Sequence, residues 1–278
     1  MGVVLFNSAV LSISGKLHRN FHFIYSFECR RTINWQLAYN CAAIIQMNHT
    51  STTYFFGAVL ILSMAACKKD APTEVDVGYT YIPNTVGGWV IYDVDSLVFD
   101  KFNTKIDTHV YQIKEVVEST YLDAQDRETM RIERYRRDST TGIWKIKDVW
   151  AANKLDTRFE KVEENVRYVR LVFPVRDGQI WDGNSGNVNE SWDYVYTDSG
   201  VPKTINGSSF NSCLTVTQKV EDITGLEKYD FVEIYAKDVG MIYKKAVYLT
   251  KGNILALWSD STEVNGYDLT MQVNSYGN

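Results

Sequence analysis

Residues 88–99 read GWVIYDVDSLVF, and this stretch decides the fold because its side chains alternate in character. Successive side chains of an extended chain point to opposite faces. Two sets separate in this way: Val90, Tyr92 and Val94 on one face, and Trp89, Ile91 and Asp93 on the other. The stretch therefore predicts a β-strand with one buried face.

Similar stretches follow along the chain, rich in the Tyr, Val, Ile, Thr and Trp residues that strands favour. Residues 108–117 (THVYQIKEVV) predict one strand, and residues 266–274 (GYDLTMQVN) predict a strand that closes the sheet. Two longer stretches each predict a pair of strands: 130–150, with a turn at 138–142, and 231–249, with a break near Asp238 and Gly240.

Two further stretches predict hairpins. Residues 246–258 (AVYLTKGNILALW) predict a hairpin that turns at Lys251, Gly252 and Asn253, a typical turn sequence. Residues 158–173 (RFEKVEENVRYVRLVF) fit helical spacing as well as strand spacing. We favour two strands with a turn at 163–165, although the period of a short apolar run leaves a helix open.

The order of these elements predicts the fold class. Strands follow one another at turn-separated intervals, without alternating helices and without a repeat of solenoid length. We therefore expect a mostly β protein with an antiparallel barrel, half-barrel or sandwich. Few or no long helices are expected outside the N-terminal segment described next.

The N-terminal part contains an apolar run that ends at a cysteine. Residues 55–66 read FFGAVLILSMAA, and Cys67 follows with the charged sequence KKD. The run is too short to span a bilayer as a helix but has the length of the hydrophobic region of a secretory signal. The stretch LSMAAC resembles the lipobox of bacterial lipoproteins, in a looser form like that of the Bacteroidota. The resemblance implies that Cys67 carries the lipid and becomes the first residue after cleavage.

This resemblance predicts the organisation of the chain. Residues 1–46 are expected to be an over-extended translation start, 47–66 a lipoprotein signal peptide, 67–78 a flexible tether and 79–278 a single antiparallel β domain. The start at Met47 lacks the usual Lys or Arg, and a buried helix at 55–66 is the alternative. The implied location is the outer membrane or the cell surface, with the domain in the periplasm or outside.

Charge argues against nucleic acid as a partner. The chain has 29 Lys and Arg residues and 34 Asp and Glu residues, of which four basic and one acidic residue fall in 1–66. Residues 67–278 therefore carry a formal charge of −8. Nucleic-acid binding rests on cationic contacts to phosphate, which this balance does not favour.

Residues that commonly carry chemistry are scarce after Cys67. His109 and Cys213 are the one histidine and the one further cysteine there, too few for an ordinary zinc site. Both are expected to be strand residues, and we expect no metal and no cofactor. Glu163 and Glu164 are adjacent and are expected to be turn or surface charges, although a pair of carboxylates elsewhere would suit a glycosidase.

The loop between 173 and 196 is the best candidate for ligand contact. It reads FPVRDGQIWDGNSGNVNESWDYVY and sets flat aromatic rings beside amides and carboxylates, as a sugar site requires. The candidate residues are Trp181, Asp182, Asn184, Trp192 and Tyr194. The same composition is typical of turns whose tryptophans cover the edge of a core.

The stretches VRLVFPVRDGQIWDGN (169–184) and EIYAKDVGMIYKK (233–245) resemble uncharacterised secreted β-rich lipoproteins of the Bacteroidota. The resulting hypothesis is a lipid-anchored envelope lipoprotein that is a non-catalytic binding or assembly module. Its partners would be the membrane, through Cys67, and an apolar or glycan ligand or an envelope protein. The alternatives are a carboxylate-dependent hydrolase of glycan or lipid and a purely structural surface protein.

Overall fold

The structure is a computed structural model that describes the backbone of residues 2–6 and 9–13, and residues 76–82, 85–138 and 142–278 with their side chains. The chain divides into two compact units, Met1–Thr73 and Glu74–Asn278. In the first unit, strands β1 (Gly2–Phe6) and β2 (Ala9–Ile13) pair antiparallel. The predicted signal peptide, most of the tether and Cys67 lie outside the described residues.

The second unit is one antiparallel sheet of twelve strands. Their bounds are β3 Trp89–Asp100, β4 Lys105–Leu122, β5 Glu128–Asp138, β6 Lys145–Lys154, β7 Arg158–Glu163, β8 Val166–Val172, β9 Ile180–Asp182, β10 Asp193–Ile205, β11 Ser208–Ile223, β12 Glu227–Ala236, β13 Gly240–Lys251 and β14 Val264–Gly277. Residues 88–99 form β3 with Val90, Tyr92 and Val94 buried, so the predicted alternation is confirmed. The mostly β, antiparallel prediction is also confirmed.

The last strand lies between the first strand of this sheet and β13. The spatial order is β8-β7-β6-β5-β4-β3-β14-β13-β12-β11-β10-β9. The two edges meet, because the Val169 backbone N–H donates to Gly183 O at 2.9 Å and Trp181 Nε1 donates to Val169 O at 2.9 Å. The sheet is therefore a nearly closed barrel.

Residues before β3 fill one end of the barrel. A single 3-10 turn, Tyr79–Tyr81, places the buried Tyr81 hydroxyl 3.3 Å from Cys213 O. The carbonyl of Thr80 accepts from the Asp238 backbone N–H, which fixes the turn against the β12–β13 connection. In the described part of the chain, no helical segment has the length and hydropathy needed to cross a bilayer.

The interpretation of 158–173 as two strands is confirmed. These residues form β7 and β8, joined by Glu164 and Asn165 with positive φ of 48° and 66°. Two successive residues of positive φ make the tight turn that suits the twist of a hairpin. The break between β12 and β13 at 237–239 is likewise as predicted.

The predicted hairpin at 246–258 is wrong in its second arm. Residues 252–263 form a loop, and β13 pairs instead with β14. Trp258 packs against the buried cluster of Phe99, Val247 and Leu249. The apolar run after the turn therefore does not extend the sheet but packs on it through Trp258. A local sequence pattern does not show such a tertiary contact.

Gly266 of β14 lies where β13 approaches closely. Its φ is +129°, and a Cβ added there would lie 2.0 Å from the Tyr248 carbonyl oxygen. We expect Gly266→Ala to lower the free energy of unfolding by about 3 kcal/mol, because strain and overpacking add. Urea unfolding followed by circular dichroism measures the change.

Gly200→Ala is the matched control, because Gly200 has a φ of +79° but open space around the added Cβ. It should cost about 1 kcal/mol from backbone conformation alone. Equal losses in the two variants would contradict the close β13–β14 approach.

Candidate functional site

Charged side chains lie inside the barrel on β4, β5, β6 and β7. Arg134 Nε lies 2.9 Å from a Glu115 oxygen, and Arg134 Nη1 lies 3.1 Å from Asp148. Lys161 Nζ contacts the other Glu115 oxygen at 3.0 Å. Arg134 is only 6% exposed, so this chain of pairs is largely removed from solvent.

A second set of ion pairs joins opposite flanks of the sheet. Arg170 of β8 pairs with Glu163 of β7 at 2.8 Å and approaches Glu233 of β12 at 3.6 Å. Lys244 of β13 pairs with Glu233 at 3.0 Å and approaches Glu163 at 3.9 Å. The Tyr235 hydroxyl donates to Glu233 at 2.6 Å. Glu163 and Arg170 thus connect β7 and β8 with β12 and β13 across the interior.

The two sets together contain four carboxylates and four cations, so the interior is charge-balanced. Burial alone would raise the pKa of Glu163, but Arg170, Lys244 and Lys161 outweigh it and lower that pKa to about 2. Burial likewise opposes ionisation of Glu233, yet Arg170 and Lys244 hold its pKa well below its usual range. Both carboxyls are therefore ionised at neutral pH.

The prediction that Glu163 is a turn or surface charge is wrong. Its side chain is only 13% exposed, whereas that of Glu164 is 69% exposed. Glu163 is the last residue of β7, with its side chain toward the interior, and Glu164 is the first turn residue. The sequence does not show that the end of β7 lies beside the charged interior, which is why Glu163 and not Glu164 is buried.

Trp150 of β6 lies between two of these cations. The Arg134 guanidinium lies 3.5 Å and the Lys161 ammonium 4.6 Å from the ring centroid, both distances typical of cation–π contact. Its indole Nε1 is buried without a hydrogen-bond partner in the described structure.

A cavity of about 220 Å³ lies beside the ion pairs. Its lining is mostly apolar but includes the charged groups of Glu115, Lys161, Glu163 and Lys244. The apolar wall residues include Val90, Tyr92, Val117, Met130, Phe159 and Met271.

Aromatic side chains lie on the same face as the ion pairs, further along β12, β13 and β14. Tyr229, Tyr248 and Tyr267 are direct register partners on the three neighbouring strands. Glu233 and Lys244 are register partners four residues away along β12 and β13, so the period of two places both rows on one face. Phe231 lies between these rows and is 5.0 Å from Trp192 between ring centroids.

We call this surface, made of Trp192, Tyr229, Phe231, Tyr248 and Tyr267, the aromatic face. Tyr267 is 38% exposed and the others are half-buried. Lys219 Nζ lies over Trp192 and Tyr229, 5.2 and 4.1 Å from the ring centroids. The surface thus offers partly open rings beside a cation.

Of the residues predicted for ligand contact, Trp192 belongs to the aromatic face and the others make internal contacts. Trp181 packs on Tyr194 and Tyr196 at 5.7 and 4.4 Å. Asp182 accepts from the backbone N–H of Asn184 and of Trp192, as a turn-forming carboxylate does. Tyr194 is 2% exposed.

The amide of Asn184 donates to Glu190 O, and its side chain is buried. These contacts show how the loop is held. Ligand contact by Trp181, Asp182, Asn184, Trp192 and Tyr194 stays a prediction.

The two remaining candidates for chemistry occupy strands, as predicted. His109 is exposed on β4, and Cys213 is fully buried on β11, where burial raises the pKa of its thiol. Within the described ranges, no group of three or more His, Cys, Asp or Glu side chains has an arrangement that could hold a metal ion.

The tyrosine row and the ion pairs were not predicted from the sequence. Tyr229, Tyr248 and Tyr267 are each nineteen residues apart, and only the pairing of three strands brings them together. The alternation of side chains in residues 231–249 and 266–274 predicts the strands but not their relative register. The signal that sequence did contain was the density of tyrosine in these strands.

Comparison with known proteins gives little similarity. No protein-family model matches the chain, and no curated protein matches it. A solved structure from Bacteroides fragilis, described as a protein assigned to export with a YmcC-like fold, matches at 11% sequence identity with a TM-score of 0.35. The match covers 71% of this chain and 98% of that chain. A likeness with this TM-score carries no conclusion about the chain.

The pKa of Glu163 predicts how the stability of the domain depends on pH. A carboxyl whose folded pKa is lowered contributes stability above its unfolded pKa, near 4.3, and loses that contribution as the pH falls toward about 2. We expect the free energy of unfolding to fall between about pH 5 and pH 2. Urea unfolding measured across this range tests the expectation.

The matched variants are Glu163→Gln and Glu164→Gln. The first should flatten the acid dependence and cost about 3 kcal/mol at pH 7, because it leaves buried cations under-compensated. Glu164→Gln should change neither the acid dependence nor the free energy of unfolding at pH 7. Identical pH profiles for Glu163→Gln and the unaltered protein would contradict the buried ion pairs.

Proposed function

We propose that the protein is a non-catalytic binding module of the cell envelope, anchored by a lipid on Cys67, that binds a glycan on the aromatic face. The observation that carries the proposal is the row of Tyr229, Tyr248 and Tyr267, which the strand register places side by side and partly open to solvent. Trp192 and Phe231 extend this row.

The chemistry of the aromatic face suits a sugar. Sugar rings have C–H faces that pack on flat aromatic rings, and hydroxyls that need polar neighbours. The tyrosines supply both an apolar ring and a hydroxyl group. Lys219 lies beside Trp192 and Tyr229, pairs with Glu221 at 3.5 Å, and adds a donor for the hydroxyl groups of a glycan.

The size of the interior cavity favours a glycan over a lipid. Pockets that enclose drug-sized ligands have volumes of about 300–1,000 Å³. The cavity here has about 220 Å³ and is lined in part by ion-paired groups, so a long acyl chain would have to displace buried charges. Binding on the aromatic face, where Tyr267 is 38% exposed, displaces none of these buried charges.

The alternative, a carboxylate-dependent hydrolase, requires a general acid that holds its proton near neutral pH. The interior carboxyls have the opposite property. Burial opposes ionisation of Glu115, Glu163 and Glu233, but neighbouring cations lower the pKa of all three. Each of these carboxylates is ion-paired with Lys or Arg, which supports binding over hydrolysis.

The aromatic face gives the direct test of binding. The purified full chain is applied to an array of neutral and acidic oligosaccharides, and hits are titrated by calorimetry. We expect Tyr267→Ala and Trp192→Ala each to weaken binding about tenfold or more, because each removes a stacking surface worth on the order of 1.4 kcal/mol.

Tyr121→Ala is the matched control, since Tyr121 is a similarly exposed tyrosine on β4, outside the aromatic face. It should leave the affinity unchanged. A glycan that binds all three variants equally would place the site elsewhere. Release of sugar from the bound oligosaccharide would support the hydrolase.

The lipid anchor has its own test. Cys67→Ser should move the protein from the membrane fraction to the soluble fraction, because a diacylated cysteine holds a protein stably at a membrane. Cys213→Ala is the control, a cysteine buried on β11 and unable to carry the lipid. Membrane retention of Cys67→Ser would refute the anchor without touching the glycan site.

A further inference from the structure

Three connections meet at the end of the barrel away from Tyr79–Tyr81. They are residues 100–104 between β3 and β4, 223–226 between β11 and β12, and 252–263 between β13 and β14. Lys101 Nζ lies 3.2 Å from Glu263, and the Lys251 backbone N–H donates to Leu226 O at 2.9 Å. We call these three connections the distal tip.

The distal tip exposes large apolar side chains. Phe102 is 95% exposed, Leu255 87%, Leu257 73% and Ile254 61%. Trp258 of the same loop packs on the sheet, so the loop is held by one apolar residue and presents its neighbours to solvent. Single exposed apolar residues are ordinary, but several at one end of a domain indicate an interaction surface.

The charge around these residues is negative. Residues 100–107, 221–228 and 251–263 contain four lysines and seven carboxylates. Asp222 is exposed and forms no ion pair within the described residues, whereas Glu221 is paired with Lys219 at 3.5 Å, Lys101 with Glu263 and Lys105 with Asp107. A membrane surface is anionic and attracts basic segments, so this charge disfavours lipid and complements a basic protein surface.

We propose that the distal tip docks a protein partner that presents an apolar groove bordered by Lys and Arg. Phe102, Leu255 and Leu257 enter the groove, and Asp222 faces its basic border. Binding through buried apolar anchors inside a charged rim is the usual anatomy of a protein interface.

The test places p-benzoylphenylalanine, a photo-crosslinking residue, at Leu255 in the full-length protein, in cells of the organism that encodes it. The same residue at Val149, which is 45% exposed on β6, is the matched control. We expect a discrete protein adduct from position 255 and none from position 149. Mass spectrometry identifies the adduct, and the identified partner is then purified.

Binding of the purified partner to the full chain is measured by calorimetry. Leu255→Ser combined with Leu257→Ser should weaken it at least tenfold, and Asp222→Lys should weaken it and reduce its salt dependence. Thermal unfolding should not change, because these side chains are exposed. A partner that binds these variants as tightly as the unaltered chain overturns the proposal.

Two other results also overturn it. One is the absence of a protein adduct at position 255. The other is flotation with vesicles of phosphatidylethanolamine and phosphatidylglycerol that Leu255→Ser abolishes, which would assign the tip to lipid. Glycan binding by the aromatic face should survive every tip variant, so failure of the docking proposal and failure of the glycan proposal remain distinguishable.

Discussion

The ion pairs that join Glu163 and Arg170 to Glu233 and Lys244 hold opposite flanks of one sheet together across its interior. A curled sheet normally closes on apolar packing, but here the middle of the interior is ionic and balanced. Removing one member would leave a buried charge without compensation, which is costly. The composition of the interior is therefore tightly fixed, and the cavity beside the ion pairs is small.

The aromatic face depends on the register of β12, β13 and β14. The side-chain period of a strand is two, so a slip of one residue would move Tyr248 to the other face and out of line with Tyr229 and Tyr267. Gly266 helps to define this register, because it permits the close approach to the Tyr248 carbonyl. The same pairing that joins the last strand to the sheet thus builds the proposed binding surface.

The two ends of the barrel have different chemistry. One end is filled by Tyr79–Tyr81, with Asp76 paired to Lys237. The other end displays Phe102 and the apolar residues of 252–263 within an acidic surround. The proposed glycan surface and docking surface are therefore built from different residues of the domain, and each can be altered alone.

The sequence by itself determined the strands, because alternation of side chains follows directly from the geometry of an extended chain. It also predicted the β7–β8 hairpin and the break before β13. Tertiary structure alone decided the burial of Glu163, the alignment of the three tyrosines and the loop at 252–263. These features depend on which strands become neighbours and how the sheet curls. A local pattern carries no record of contacts between residues far apart in the chain.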